Sequence, residues 1–147
     1  MAGSKTLLVG RGYRANAAGI GQLRALLQPR GVKVLSAPLP HGQGPSACLH
    51  LKSLISLLDK NTALVDPPRP AVETVESLQA RGYRFAEIDA SERETLACNV
   101  LSLGKGRLVA LGENEKTNLR LRAQPDSRCA RFLGRKFAST AAVGPRA

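Results

Sequence analysis

The side chains best suited to chemistry in this chain are a histidine and a cysteine that lie close together. His50 stands in Leu49-His50-Leu51-Lys52-Ser53, and Cys48 precedes it by two residues. This segment follows the Gly/Pro-rich connection 41–45 and opens an apolar run, 49–58, that is typical of a strand. The first residues of a strand that leaves a loop lie at a sheet edge, where reactive side chains usually sit. A histidine there suits proton transfer, because its pKa lies near neutrality.

Two alternatives for this pair are open at this point. The first is a strand histidine that is bonded to a neighbouring carbonyl and has no chemical role. The second is a Cys48/His50 dyad, which needs a close hydrogen bond between thiol and imidazole. Side chains two residues apart on a strand stand side by side and point the same way. We therefore do not expect this dyad.

The number and spacing of the cysteines also limit the class of protein to which the chain can belong. The chain has three of them, Cys48, Cys98 and Cys129, without any C-x-x-C spacing. Such unpatterned cysteines predict neither a disulfide framework nor a zinc site. They are typical of a protein in a reducing cytoplasm, which is the expected location.

The composition indicates one globular domain and excludes some partners. A chain of 147 residues with 43% apolar and 22% charged residues can bury a core of ordinary size. No apolar run approaches the roughly 20 residues that span a bilayer, so no membrane partner is expected. Much of the net charge of +11 lies in 120–147, which hold seven basic residues and one acidic residue. Aromatic residues make up only 3%, so we expect no stacking on bases and no specific nucleic-acid binding.

The order of predicted elements repeats along the chain. Apolar spacing and turn residues predict strand, helix, strand, then hairpin, helix, strand, then a third hairpin and helix. The predicted helices occupy 15–27, 71–80 and 114–121. Two helix-to-strand joints share a Leu-Gln…Arg-Gly frame, and their glycines, Gly31 and Gly82, lie 51 residues apart. A period of this length indicates a repeated supersecondary unit.

The motif Leu49-His50-Leu51-Lys52-Ser53 resembles the histidine motif of the dimethylarginine dimethylaminohydrolases. These enzymes belong to the guanidino-modifying, or pentein, superfamily, which also contains the arginine deiminases. The segment Gly10-Arg11-Gly12-Tyr13-Arg14-Ala15-Asn16 resembles the family's G-x-S-x-R-T-N, with Gly and Ala in place of Ser and Thr. Penteins are α/β-propellers of five ββαβ modules. The resemblance therefore implies an α/β fold, a partial propeller of about two and a half modules.

The resemblance also implies a reaction. A cysteine thiolate attacks the guanidinium carbon and expels an amine, and a histidine protonates that amine and then activates water. His50 takes the place of this histidine, and Arg14 takes that of the arginine that holds the substrate's carboxylate. Cys98, in a segment similar to the family's A-x-N-C strand, is expected in the core. The implied partner is a small guanidino substrate, arginine or methylated arginine, with no cofactor and no metal.

Other groups that the family uses are missing from the places where they are expected. Its acidic substrate-binding residues belong to modules that would precede Lys5, and its nucleophile belongs to a C-terminal glycine-rich loop. After Ala123 the apolar periodicity ends, which is typical of a disordered extension. A second interpretation is a reading frame that slipped near Ala123. If each codon in this region is read from the third base of the present codon, the residues that the genetic code permits include a glycine followed by a strand. They also include a later glycine-rich loop that ends in cysteine.

The sequence therefore predicts a partial pentein domain at 1–122 and a basic tail, disordered or out of frame, at 123–147. The predicted function is that of an amidinohydrolase-type fragment that is inactive as it stands, with hydrolase and amidinotransferase chemistry both open. The alternative is a non-enzymatic basic binding or interaction protein that uses its tail. Uncovered module edges also predict self-association.

Overall fold

Short strands and helices alternate along the chain in three related units. The structure, a computed structural model, describes residues 5–42, 44–45 and 50–124, together with the backbone of 128–132. It is a mixed α/β fold with three small sheets. The prediction of an α/β fold built from about two and a half ββαβ modules is confirmed. Within the described residues, every helix is too short or too polar to cross a membrane.

The first unit consists of two parallel strands joined by a helix: β1 (Lys5–Arg11), α1 (Ala17–Leu27) and β2 (Val32–Pro38). The strands pair over their whole length, from Lys5 opposite Val32 to Arg11 opposite Pro38. Asn16 begins α1, because its side chain accepts a hydrogen bond from the Gly19 amide at 2.8 Å. The first unit thus places the end of β1 and the start of α1 beside the end of β2.

The second and third units each add a hairpin strand in front of the same frame. Their elements are β3 (Ile55–Leu57), β4 (Thr62–Val65), α2 (Val72–Gln79) and β5 (Arg84–Glu87), followed by β6 (Leu101–Ser102), β7 (Arg107–Leu111), α3 (Glu115–Arg122) and β8 (Arg128–Phe132). In each unit the first strand runs antiparallel to the second, which runs parallel to the last. By position, β1 is the counterpart of β4 and β7.

Self-association through strand edges stays a prediction.

The shared joints of the first and second units have one physical cause. Gly31 has a φ of 68° and Gly82 a φ of 80°, which is the left-handed region that favours glycine. The Gly31 amide donates to the Gln28 carbonyl at 3.0 Å, and the Gly82 amide donates to the Gln79 carbonyl at 2.8 Å. Each glycine therefore ends its helical segment and turns the chain into the next strand.

The structure corrects the predicted strand over 49–58. The strand β3 begins only at Ile55, and His50 stands directly before a short 3-10 helix, Leu51–Ser53. The His50 carbonyl accepts a hydrogen bond from the Ser53 amide at 2.9 Å, so it closes a turn and does not pair with a neighbouring strand. At the other end of the chain, β8 lies beyond the predicted boundary at 122. The nature of 123–147 as a tail stays a prediction.

Two apolar clusters on opposite faces of β4 hold the described units together. One joins the second and third units and consists of Leu58, Leu64, Ala86, Ile88, Ala97, Cys98, Val100, Leu108, Ala110 and Leu121. The other consists of Leu54, Ile55, Ala63, Val65 and Leu78, with Leu39, Leu51, Tyr83 and Phe85 packed against it. Since Leu39 and Leu51 flank the loop that carries His50, the second cluster anchors both ends of that loop to the core.

A buried carboxylate links the second and third units. Asp66 directly follows β4 and has no exposed surface. Arg93 donates from Nε to both of its oxygens, at 2.9 and 2.8 Å, and Arg69 Nε lies 3.3 Å from Oδ2. Arg69 also binds the exposed Glu94 at 2.9 Å. Asp66 is therefore the buried centre of a charged network that joins the end of β4 to the segment before β6.

We expect Asp66→Asn to lower the free energy of unfolding by about 1.5–3 kcal/mol, the contribution of hydrogen bonds to a charged group. Urea denaturation followed by circular dichroism measures this loss. The matched control is Glu94→Gln, because the Glu94 side chain is 76% exposed and binds the same Arg69. An exposed pair contributes only about 0–1 kcal/mol. Equal losses in the two variants would contradict a special role for the buried carboxylate.

Candidate functional site

The segment between β1 and α1 forms a tight turn that presents Arg14. The Gly12 amide donates to the Ala15 carbonyl at 3.0 Å, and Asn16 then starts the helix. The Arg14 side chain is exposed at the top of this turn. The turn lies at the carboxyl ends of two parallel strands, the usual place for binding residues in an open α/β sheet.

Two glycines allow Leu39 and Leu51 to lie directly on β1 and the turn that follows it. A Cβ atom on Gly10 would lie 3.1 Å from Leu39 Cδ1 and 3.2 Å from Leu51 Cβ, and one on Gly12 would lie 3.1 Å from Leu39 Cδ1. The Leu39 amide also donates to the Arg11 carbonyl at 2.9 Å. Leu39 thus gives a physical reason for Gly12 where the similar motif has serine. We call this contact, made by Gly10, Gly12, Leu39 and Leu51, the glycine seat.

The glycine seat brings together the two residues that the sequence singled out. Arg14 Nη1 lies 2.8 Å from Nε2 of His50, and both side chains are exposed. A guanidinium can only donate hydrogen bonds, so Nε2 has to be the acceptor. The His50 ring is then neutral, with its proton on Nδ1. This pair joins a group that can bind a carboxylate to a group that can transfer a proton.

The adjacent residue makes a second contact of the same kind, which the sequence did not predict. The Tyr13 hydroxyl lies 2.5 Å from Nδ1 of His41, and the two rings meet edge to face with centroids 5.8 Å apart. His41 and His50 are the only histidines of the chain, and both touch the turn after β1. Tyr13 occupies a variable position of the motif and His41 lies in a loop, so no spacing rule connects them.

The electrostatic setting of this site is basic. The first 58 residues contain seven basic residues and no acidic residue. Arg11 ends β1 and Lys52 follows Leu51, so two further cations lie at the same end of the first unit as Arg14. The ion pairs among the described side chains all join residues between 66 and 120. This end of the first unit therefore favours an anionic group over a cationic guanidinium.

Cys98 is a core residue and not a nucleophile, as the sequence predicted. Its side chain is 2% exposed, and its thiol lies 3.5 Å from the Leu64 carbonyl oxygen. Burial raises the pKa of the Cys98 thiol to about 12, and the negative charge of Asp66 contributes to the rise. The thiolate that nucleophilic catalysis requires is then essentially absent at neutral pH.

The other cysteines do not complete the site within the described part of the chain. Cys48, and the side chain of Cys129, lie outside the residues that the structure describes. A Cys48/His50 pair was considered on the assumption that both residues lie on one face of a strand. Because His50 directly precedes a 3-10 helix, that assumption no longer applies. Within the described ranges, no group of three or more His, Cys, Asp or Glu side chains is placed to hold a metal ion.

Comparison with known proteins agrees with the resemblance to the dimethylarginine dimethylaminohydrolases. No protein-family model matches the chain. A dimethylarginine dimethylaminohydrolase of Streptomyces coelicolor is 34% identical over 112 residues, which make up 76% of this chain and 37% of that protein. The chain therefore spans well under half the length of this curated relative.

Solved structures share the fold at much lower identity. SxtG, an amidinotransferase of the saxitoxin biosynthetic pathway from Microseira wollei, matches with a TM-score of 0.70 and 16% identity, over 87% of this chain and 38% of SxtG. The N-terminal domain of ArgZ, an arginine dihydrolase from the ornithine-ammonia cycle in cyanobacteria, matches with a TM-score of 0.69 and 15% identity. That match covers 86% of this chain and 44% of the ArgZ domain. At these identities the likeness shows the fold alone.

The raised pKa of Cys98 predicts that a thiol reagent will not modify this residue in the folded protein. About 10⁻⁵ of such a thiol is ionised at neutral pH, and reaction also requires the core to open. Alkylation followed by peptide mass spectrometry should show labelling of Cys98 at least about 100-fold slower in buffer than in urea. Labelling at the same rate in both conditions would mean that the thiol is accessible and the core position is wrong.

Proposed function

We propose that the chain belongs to the pentein superfamily of guanidino-modifying proteins and that its lineage chemistry is displacement at the guanidino carbon of arginine or a methylated arginine. The observation that carries this proposal is the 2.8 Å contact between Arg14 and His50. It joins a carboxylate-binding group and a proton-transfer group that lie 36 residues apart in sequence. The glycine seat explains why the segments that carry Arg14 and His50 lie in contact.

In this proposal Arg14 binds the carboxylate of the substrate. The planar guanidinium presents two parallel N–H donors that match the two oxygens of a carboxylate. The basic surroundings of Arg14, without an acidic residue in the first 58 positions, strengthen the attraction of an anion. The same surroundings repel the cationic end of an arginine-type substrate, so carboxylates for that end have to come from elsewhere in a complete enzyme.

His50 acts as the proton-transfer group of this scheme. His50 takes the proton of a cysteine thiol, the resulting thiolate forms a bond to the guanidino carbon, the bond to the departing amine breaks, and His50 gives its proton to that amine. His50 then removes a proton from water, whose oxygen bonds to the same carbon while the carbon–sulfur bond breaks. The product carries a ureido group in place of the guanidino group. An amine that attacks in place of water would make the reaction an amidinotransfer.

The proposal assigns no activity to the 147-residue chain alone. Cys98 cannot serve as the nucleophile, because its thiol is buried and its pKa is raised to about 12. The first 58 residues, which carry both Arg14 and His50, include no carboxylate to hold the guanidinium. Water by itself attacks this resonance-stabilised cation very slowly. His50 therefore has neither a thiolate partner nor a bound group to protonate.

We expect no citrulline from arginine or dimethylarginine with the 147-residue chain. Citrulline should appear when the chain is extended with the preceding part of the Streptomyces relative and the frame is restored after Ala123. In that extended protein His50→Ala should lower kcat by about 10²–10⁴-fold, the usual contribution of a general acid–base group. Arg14→Ala should raise KM by about 10–100-fold, since it loses charge-assisted hydrogen bonds to the carboxylate. Colorimetric citrulline determination measures all four proteins.

The matched control is His41→Ala, which removes the other histidine at the same turn. Its effect on kcat should be small, because His41 contacts Tyr13 and not Arg14. Equal losses for His41→Ala and His50→Ala would contradict the assigned role of His50. Activity in the bare chain that disappears in Cys48→Ala would show that Cys48 is the nucleophile.

The alternative function, a basic binding or interaction protein that uses residues 123–147, stays a prediction. It depends on side chains beyond residue 124, outside the described part of the chain. Within the described part, the functional arrangement best defined by contacts is the Arg14–His50 pair.

A further inference from the structure

We propose that Arg14 selects carboxylate-bearing ligands by controlling the availability of His50, so that binding of a carboxylate releases the imidazole. This inference rests on the proposed function for the identity of the ligand. It concerns a different property, the coupling between the binding residue and the proton-transfer residue. Arg14 is thus a specificity-determining residue, in addition to being an anchor.

The first step of the argument is the state of the His50 ring in the free protein. Nε2 accepts a hydrogen bond from Arg14 Nη1 at 2.8 Å, and Nδ1 carries the ring proton. A neutral imidazole has one lone pair that can take a proton, and here Arg14 occupies it. His50 can therefore act as a base at Nε2 only after the bond to Arg14 has broken.

The second step is the competition for the guanidinium. His50 offers Arg14 one neutral acceptor, whereas a carboxylate offers two charged oxygens in a geometry that matches the guanidinium fork. Both side chains are exposed, so neither movement has to displace a packed group. Arg14 has no ion pair among the described residues that would hold it in place. A carboxylate is thus the stronger partner for Arg14.

The third step is the consequence for selection. A guanidino compound with a carboxylate draws Arg14 away and leaves Nε2 of His50 free to exchange a proton. A guanidino compound without a carboxylate leaves the Arg14–His50 bond intact. The site would then discriminate against the compound without a carboxylate in two ways. This compound binds more weakly, and it leaves Nε2 of His50 bonded to Arg14.

The test is the ¹⁵N resonance of His50 Nε2 in the 147-residue protein, recorded at about pH 8, where an ordinary imidazole is neutral. L-Arginine and agmatine are the probes, because they share the guanidino group and differ in the carboxylate. We expect Arg14→Ala to move this resonance, because the lone pair loses its donor and the ring proton is no longer confined to Nδ1. L-Arginine should move the wild-type resonance in the same direction, and agmatine should not. His41, bonded to Tyr13, is the internal reference that should not move.

Two further variants separate this coupling from general charge effects. Arg11→Ala removes a neighbouring cation that makes no hydrogen bond to His50 among the described residues, and it should leave both the resonance of the free protein and the full response at saturating L-arginine unchanged, even if more L-arginine is needed to reach it. Arg14→Lys keeps the charge without the fork and should weaken the response. An unchanged His50 resonance in Arg14→Ala, or in wild type with L-arginine, would overturn the proposal. Such a result alongside His50-dependent citrulline release in the extended protein would leave the proposed function standing and refute only the coupling.

Discussion

The close contact between two loops at Gly10 and Gly12 is the constraint on which the candidate site depends. Leu39 Cδ1 approaches the place of a Gly12 Cβ to 3.1 Å, so a side chain there would require Leu39 to shift by a few tenths of an ångström. Leu51, which also contacts the place of a Gly10 Cβ, directly follows His50, and the turn after Gly12 carries Arg14. The two polar contacts beside the glycine seat, Arg14 with His50 and Tyr13 with His41, are exposed. The apolar packing beneath them therefore sets their geometry.

Packing in the rest of the described fold stabilises this contact. The central strand β4 is buried on both faces, and one of its two apolar clusters includes Leu39 and Leu51. Asp66 and its two arginines fix the end of the same strand to the third unit. Leu39 and Leu51, which precede and follow His50 in sequence, therefore contact both the first unit and the core on β4. Similar packing between repeated units is how propeller-like folds position loops at one end.

Sequence reasoning found what depends on local chemistry and missed what depends on contacts between distant residues. The helix ends at Gly31 and Gly82 follow from local rules, whereas the first helix, predicted from residue 15, begins only after Asn16. The strand predicted at 49–58 was wrong in its first half, because an apolar run does not distinguish a strand from a 3-10 turn. Glu92 accepts hydrogen bonds from the Lys116 and Thr117 amides at 2.8 Å, and it begins α3 from more than 20 residues away. No local spacing predicts such a contact, or that of Tyr13 with His41.

The most direct test of the glycine seat is a nuclear Overhauser experiment on the isotope-labelled protein. The methyl protons of Leu39 should give cross-peaks to the α-protons of both Gly10 and Gly12, and the His50 ring should give cross-peaks to the Arg14 side chain. The distances at Leu39 and between Arg14 and His50 require these signals. Leu39 methyl groups without a cross-peak to either glycine would contradict the account, because the loop would then lie away from β1 and no structure would hold His50 beside Arg14.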